Sequence, residues 1–186
     1  MGLCIPSHTD SKMENEPIIR LAEPSDAFSL AELAEKTFRG AFAKMNDKAN
    51  FEKYVALSFT ENQIRSELLD NASTFFIAKL DDRWVGYAKL YRSIPPDCVN
   101  QIPSIELARL YSMQKYLGCG IGPALMKACI NYAREKDFKS IWLSSWMKNS
   151  RGNAFYTKMG FQIIGNATFA LGSDIQDDYI FSKSLI

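Results

Sequence analysis

Residues 116–126 read YLGCGIGPALM, with glycine at 118, 120 and 122 and proline at 123. Each glycine weakens regular structure by roughly 0.5–1 kcal/mol relative to alanine, so three on alternate positions need a compensating use. Placed between a strand and a helix, they form a loop whose N–H groups can all turn toward an anion at the positive end of the helix dipole. Pro123 suits the first position of that helix, where a missing N–H costs nothing. Two uses remain open: a tight strand-to-helix turn that needs positive φ, or a phosphate cradle. Spacing rules out one phosphate motif and weakens another. A Walker loop needs lysine followed by serine or threonine after the last glycine, where this chain has Pro123 and Ala124. A dinucleotide fingerprint is G-x-G-x-x-G at the first strand-to-helix turn, whereas this run is G-x-G-x-G after about four strands.

The flanking segments define the fold class. PIIRLA (17–22) reads as a strand, and Ser25 and Asp26 open an amphipathic helix with Leu30, Leu33, Ala34 and Phe38 on one face. Asp47 caps a second helix, and Thr60 with Gln63 forms a capping box before a third. STFFIAKL and WVGYAKLYRSI flank Asp81, Asp82 and Arg83 as a hairpin, and SIELARLYSM (104–113) leads into the glycine run. A long helix, the strand SIWLSSWM, a short helix and a hairpin through Gly172, Ser173 and Asp174 complete the chain. The order β-α-α-α-β-β-β-α-β-α-β-β predicts an α+β fold with a mixed sheet and helices on its faces, in place of a doubly wound parallel sheet.

Composition narrows the chemistry. The 186 residues are 47% hydrophobic, which supports one globular domain over 17–186, with residues 1–16 as a disordered leader. A net charge of +1 argues against nucleic acid as a partner. No stretch reaches the ~18 apolar residues of a membrane span. His8, the single histidine, lies in the polar leader, which argues against a Ser-His-Asp apparatus or a multi-histidine metal site. Cys4, Cys98, Cys119 and Cys129 form no C-x-x-C pair and point to a reducing, cytoplasmic setting.

LGCGIG (117–122), after the fourth strand and before a long helix, resembles the Q/R-x-x-G-x-G/A acyl-CoA loop of the GNAT N-acetyltransferases. NSRGNAFYTKMGF (149–161) resembles that family's later N-x-x-A-x-x-F/L-Y-x-x-x-G-F signature, with Gly152 where alanine is usual. KTFRGAF, STFFIAKLDDRWVGYAKL, SIWLSSWMKN and the closing SDIQDDYIFSKSLI are similar to the PaiA-type spermidine/spermine N-acetyltransferases. The resemblance implies a GNAT fold: a mostly antiparallel sheet of about seven strands, helices on both faces, and a splay between the fourth and fifth strands. It implies acetyl-CoA as cosubstrate, no metal, a small amine as acceptor, and leaves room for a homodimer.

The same resemblance assigns roles. The N–H groups of Gly118, Cys119, Gly120, Ile121 and Gly122 hold the pyrophosphate, with Pro123 closing the cradle without an N–H of its own. Tyr111, Ser112 and Met113 accompany the pantetheine arm as an added strand, Asn149 meets its amide, and Lys158 reaches a phosphate. Tyr156 faces the sulfur as general acid, and Glu106 takes the proton of an ammonium whose pKa near 10.4 keeps it from attacking at neutral pH. An ion pair of Glu106 with Arg109 or Arg92 is the structural alternative. Leu117 departs from the pattern, since the family carries glutamine or arginine there. A polyamine would need carboxylates remote from the sulfur, for which Glu32, Glu35, Asp174, Asp177 and Asp178 are candidates. Another small amine, an amino acid or a peptide N-terminus remains open as acceptor, as does a CoA-binding regulator with little turnover.

Overall fold

Leu30, Leu33, Ala34 and Phe38 are all buried, on one face of a helix over Ala27–Phe42 (α1). The computed structural model describes residues 16–186, so the expected leader, Glu16 apart, lies outside the described residues. Asp47 accepts the Asn50 N–H at 3.0 Å to cap α2 (Lys48–Ser58). Thr60 Oγ1 accepts the Gln63 N–H at 3.1 Å to cap α3 (Glu61–Leu69). Only half of the expected capping box forms there. The Gln63 side chain is turned the other way, its amide NH2 donating to the Glu67 carboxylate one turn on at 3.0 Å.

The strands are β1 (Ile18–Leu21), β2 (Ser73–Leu80), β3 (Arg83–Tyr91), β4 (Ser104–Ser112), β5 (Ser140–Trp146), β6 (Gln162–Leu171) and β7 (Asp174–Ser184). Asp81 and Asp82 turn the β2–β3 hairpin with φ of 49° and 61°, the left-handed pair that matches strand twist. The sheet runs β1-β2-β3-β4-β5-β7-β6, antiparallel except at β4–β5. Helices α4 (Ile121–Glu135) and α5 (Ser150–Lys158) cover one face, and α1–α3 pack against the other.

Two features open the sheet at its centre. The parallel β4–β5 pairing covers only Ser104↔Ser140 to Glu106↔Trp142, after which the strands separate, so the expected splay is present. Just beyond, Lys89 pairs with Arg109 and Leu90 with Leu107, leaving Ala108 as the extra residue of a β-bulge that bends β4 away from β5. Gly86 sets the start of α4 against this strand. A Cβ at Gly86 would lie 2.7 Å from the Tyr111 carbonyl oxygen and 2.9 Å from Ile121 Cγ2, so only glycine admits so close an approach.

A buried charge cluster braces β4 from below. Arg109 grips Glu67 of α3 with two hydrogen bonds of 2.7 and 3.0 Å, and Lys89 of β3 adds an ion pair at 3.0 Å. Burial pushes the Glu67 carboxyl upward, but Arg109, Gln63 and Lys89 together outweigh it and hold Glu67 below its ordinary value.

Candidate active site

The splay holds a cavity of about 1090 Å³ that passes through the sheet. Leu107, Leu110, Ile121, Phe155 and Tyr156 line it from the α4/α5 side, and Phe38, Phe42, Tyr54 and Phe59 from the α1/α2 side. Its mouth is the glycine run. Gly118 and Gly120 have φ of 88° and 80°, a conformation that L side chains rarely adopt, and a Cβ on either would enter open space. The run is thus compatible with both uses: the turn requires positive φ, and it lines a cavity.

The loop's main-chain groups divide unevenly. Leu117 donates to Gln114 and Cys119 to Tyr116, both at 3.2 Å, closing the 3-10 turn that precedes the loop. Gly118, Gly120, Ile121 and Gly122 donate to no main-chain carbonyl, and the last two open α4. Pro123 occupies the third helical position, not the first, because the helix begins at Ile121. It remains within the first turn, where a missing N–H costs no bond. Four outward N–H groups at a helix N-terminus suit a pyrophosphate. Exposed Lys148, Arg151 and Lys158 line the same cavity and supply cations that Leu117 lacks. Lys148 and Arg151 escaped the sequence reading, although they flank the Asn149 motif as basic neighbours.

Tyr111 and Ser112 pair with Tyr87 and Gly86 on one edge and line the cavity along the other. Met113 does not line it: its N–H donates to Val85 at 2.8 Å and its carbonyl accepts from Tyr116 at 2.9 Å. Asn149 lines the cavity, yet its Oδ1 caps α5 by accepting the Gly152 N–H at 3.1 Å. Ala108, which no local pattern in the sequence marked, is exposed at the bulge in the cavity wall.

Tyr156 packs its ring against Phe155, Phe161 and Phe181; its carbonyl accepts the Phe161 N–H at 3.0 Å, while its hydroxyl bonds to no other described residue. Burial pushes its phenol up to about 12. Glu106 is half-buried on the opposite side of the cavity, and neither structural partner takes it. Arg109 is held by Glu67, and the Arg92 guanidinium lies 5.8 Å from the Phe138 ring centre. Of the other carboxylates, Asp178 lines the cavity, whereas Asp174 and Asp177 are exposed outside it. Glu32 and Glu35 border a separate groove beside Trp84 and Met113. Among the described residues, no three His, Cys, Asp or Glu side chains gather to hold a metal, and no helix is long and apolar enough to cross a membrane.

A strand splay, a bulge at its apex and a glycine-rich helix start beside it make up a fold of the GNAT type. The chain matches the model of the acetyltransferase (GNAT) family over residues 29–161 and belongs to that family. It is an acetyl-CoA-dependent N-acetyltransferase. An uncharacterized N-acetyltransferase of Mycobacterium bovis is 32% identical over 162 residues, covering 87% of this chain and 99% of that protein. One from Lactobacillus delbrueckii is 25% identical over 174 residues, covering 94% of this chain and all of the relative. Among solved structures, the PaiA N-acetyltransferase of Thermoplasma acidophilum in complex with coenzyme A superimposes with a TM-score of 0.74 at 22% identity. That superposition covers 91% of this chain and 99% of the other, and shows a shared fold.

Proposed function

We propose that this enzyme acetylates a primary amine of a polyamine such as spermidine or spermine by direct attack. The observation that carries the mechanism is that Glu106 and Tyr156 line one cavity, with neither the Glu106 carboxylate nor the Tyr156 hydroxyl in an ion pair or hydrogen bond with another described residue. The polyamine assignment draws on the resemblance to PaiA-type enzymes and on a cavity whose acidic lining residues, Glu106 and Asp178, have no cationic partner among the described residues.

Gly118, Gly120, Ile121 and Gly122 would hold the pyrophosphate, with Lys148, Arg151 and Lys158 adding charge. Tyr111 and Ser112 would offer their free edge to the pantetheine arm. Acetyl-CoA supplies a thioester carbonyl open to attack. Glu106 accepts the proton of the acceptor ammonium, directly or through water. The bulge leaves Ala108 without a register partner on β3 in the cavity wall, where a main-chain N–H would serve a carbonyl oxygen gaining charge. Tyr156 donates its hydroxyl hydrogen to the departing sulfur.

A thiol-release assay tests this, with acetyl-CoA and spermidine, spermine, lysine, an aminoglycoside and a basic peptide as acceptors. Turnover fastest with the polyamines is expected. Turnover with the peptide or amino acid alone would refute the polyamine assignment, and turnover with none would refute the mechanism.

A further inference from the structure

Asp178 lines the cavity, and none of the chemical steps above uses it. It sits on β7 between β5 and β6, opposite Trp146 and Ala167, and is 7% exposed. Ser144 donates to its Oδ2 at 2.6 Å, and its Oδ1 is buried with no hydrogen-bond partner. A carboxylate oxygen in that condition costs free energy that a neutral side chain would not. The register partners of Asp178 are Trp146 on β5 and Ala167 on β6, and the Phe42 ring stands edge-on to Trp146 with centres 6.4 Å apart. Of the cations lining the cavity, Arg109 is held by Glu67, and neither Lys148, Arg151 nor Lys158 forms an ion pair with Asp178. Burial, the largest influence, raises its pKa, the Ser144 hydroxyl opposes the rise, and the charge of Asp177 adds to it.

Register fixes where this carboxylate stands relative to the chemistry. Glu106 is level with Trp142 on β5, and Asp178 with Trp146. Those tryptophans are four residues apart, about 13 Å along the strand. The side chains of Glu106, Trp142, Ser144 and Asp178 all line the same cavity. An ammonium donor reaching Oδ1 would satisfy the orphan acceptor, and the aromatic faces beside it favour a cation with an alkyl stem.

Building on the amine-acetylation reading above, we propose that Asp178 anchors the second, non-reacting ammonium of the acceptor and so selects long diamines and polyamines over monoamines. Ser144 orients the carboxylate, and the stretch of cavity between Asp178 and Glu106 sets the length of the alkyl linker.

Calorimetric binding of spermidine, 1,8-diaminooctane, 1,3-diaminopropane and hexylamine to the CoA-loaded protein tests this without requiring turnover. The wild type should prefer the two long multivalent amines. Asp178→Asn should erase that preference by weakening their binding about 30-fold or more. It should also raise the melting temperature of the free protein, because the unsatisfied charge is gone. Asp177→Asn, which removes an equal charge from the exposed neighbour, should keep the preference.

Three results overturn the assignment: long-amine preference retained in Asp178→Asn, no such preference in the wild type, or CoA affinity falling by the same factor as spermidine affinity. A parallel thiol-release measurement separates this from the wider reading. Turnover with an Asp178→Asn protein that binds all four amines as the wild type does would refute the anchor and leave amine acetylation standing. Dication binding through Asp178 without thiol release for any amine would refute the acetylation reading and leave the anchor standing.

Discussion

Replacing Tyr156 by phenylalanine separates two ways in which a phenol can assist a departing thiolate. Its phenol is pushed up to about 12 by burial among Phe155, Phe161 and Phe181. A thiol has a pKa of about 8.5, so full proton transfer from Tyr156 to a free thiolate is uphill by roughly 3.5 units, about 5 kcal/mol. A hydrogen bond to a charged acceptor contributes about 1.5–3 kcal/mol without completing the transfer. Tyr156→Phe should therefore lower kcat by about 10- to 150-fold and leave CoA affinity nearly intact, since the proposed pyrophosphate site is the glycine loop. The pH profile carries a second signature. With a pKa of about 12 the phenol is only about 1% ionised at pH 10, so an alkaline loss of activity below that pH cannot come from Tyr156. The sign for stability follows from the same shift: the folded state keeps this proton where the unfolded chain releases it. Tyr156 therefore costs stability as pH rises from about 10 toward 12. Steady-state kinetics of thiol release from pH 6 to 10, with calorimetry for CoA, check these points. An unchanged kcat removes Tyr156 from the mechanism, and a loss above about 10⁴-fold would show an obligatory proton donor.

Two further substitutions probe the cradle and the base. Gly120→Val should fold at a cost of about 1–2 kcal/mol from its left-handed φ of 80°, because its Cβ meets nothing within 4 Å in the free protein. CoA affinity should nevertheless collapse, and unchanged affinity by calorimetry would make the loop only a turn. Glu106→Gln should lower kcat/KM at neutral pH by about 10²–10⁴-fold. That deficit should shrink as pH approaches the acceptor's pKa of about 10.4, where the amine is already free; a deficit independent of pH would make Glu106 a binding group instead.

Features set by a few neighbouring residues were legible in the chain. Asp47 and Thr60 announce their caps by side-chain chemistry, Leu30 and Phe38 their face by helical period, and Asp81–Asp82 their hairpin by tolerance of positive φ. The glycine run is local in the same sense, and the positive φ that its spacing suggests is present at Gly118 and Gly120. Features set by pairing between distant segments were not legible. Ala108 becomes a bulge only because Lys89 and Leu90 take Arg109 and Leu107 as partners. Arg109 is removed as a partner for Glu106 by Glu67, 42 residues away on another helix. Asp178 could not be told from Asp174 and Asp177 by composition. It is the pairing of β7 with β5 and β6 that buries one of the three and leaves the other two in solvent.

Gly152 shows how a single departure from a family pattern acts through its neighbour. The signature has alanine at this position, and here a Cβ would lie 2.4 Å from Asn149 Nδ2 and 2.8 Å from its Cγ. Glycine therefore lets the Asn149 side chain fold over the first turn of α5 and cap it, while alanine would drive that side chain out. Losing the cap costs about 0.5–2 kcal/mol, and replacing glycine by alanine inside a helix returns about 0.5–1 kcal/mol. These opposing effects nearly cancel, so Gly152→Ala should change stability by less than about 1.5 kcal/mol in chemical denaturation. The consequence should fall on the cavity instead. Displaced from the cap, the Asn149 amide would be free to meet the pantetheine arm, and the KM for acetyl-CoA should fall in Gly152→Ala. A KM that rises would mean that the intact helix cap matters more to cofactor binding than the amide does, and would reverse the role given to Asn149.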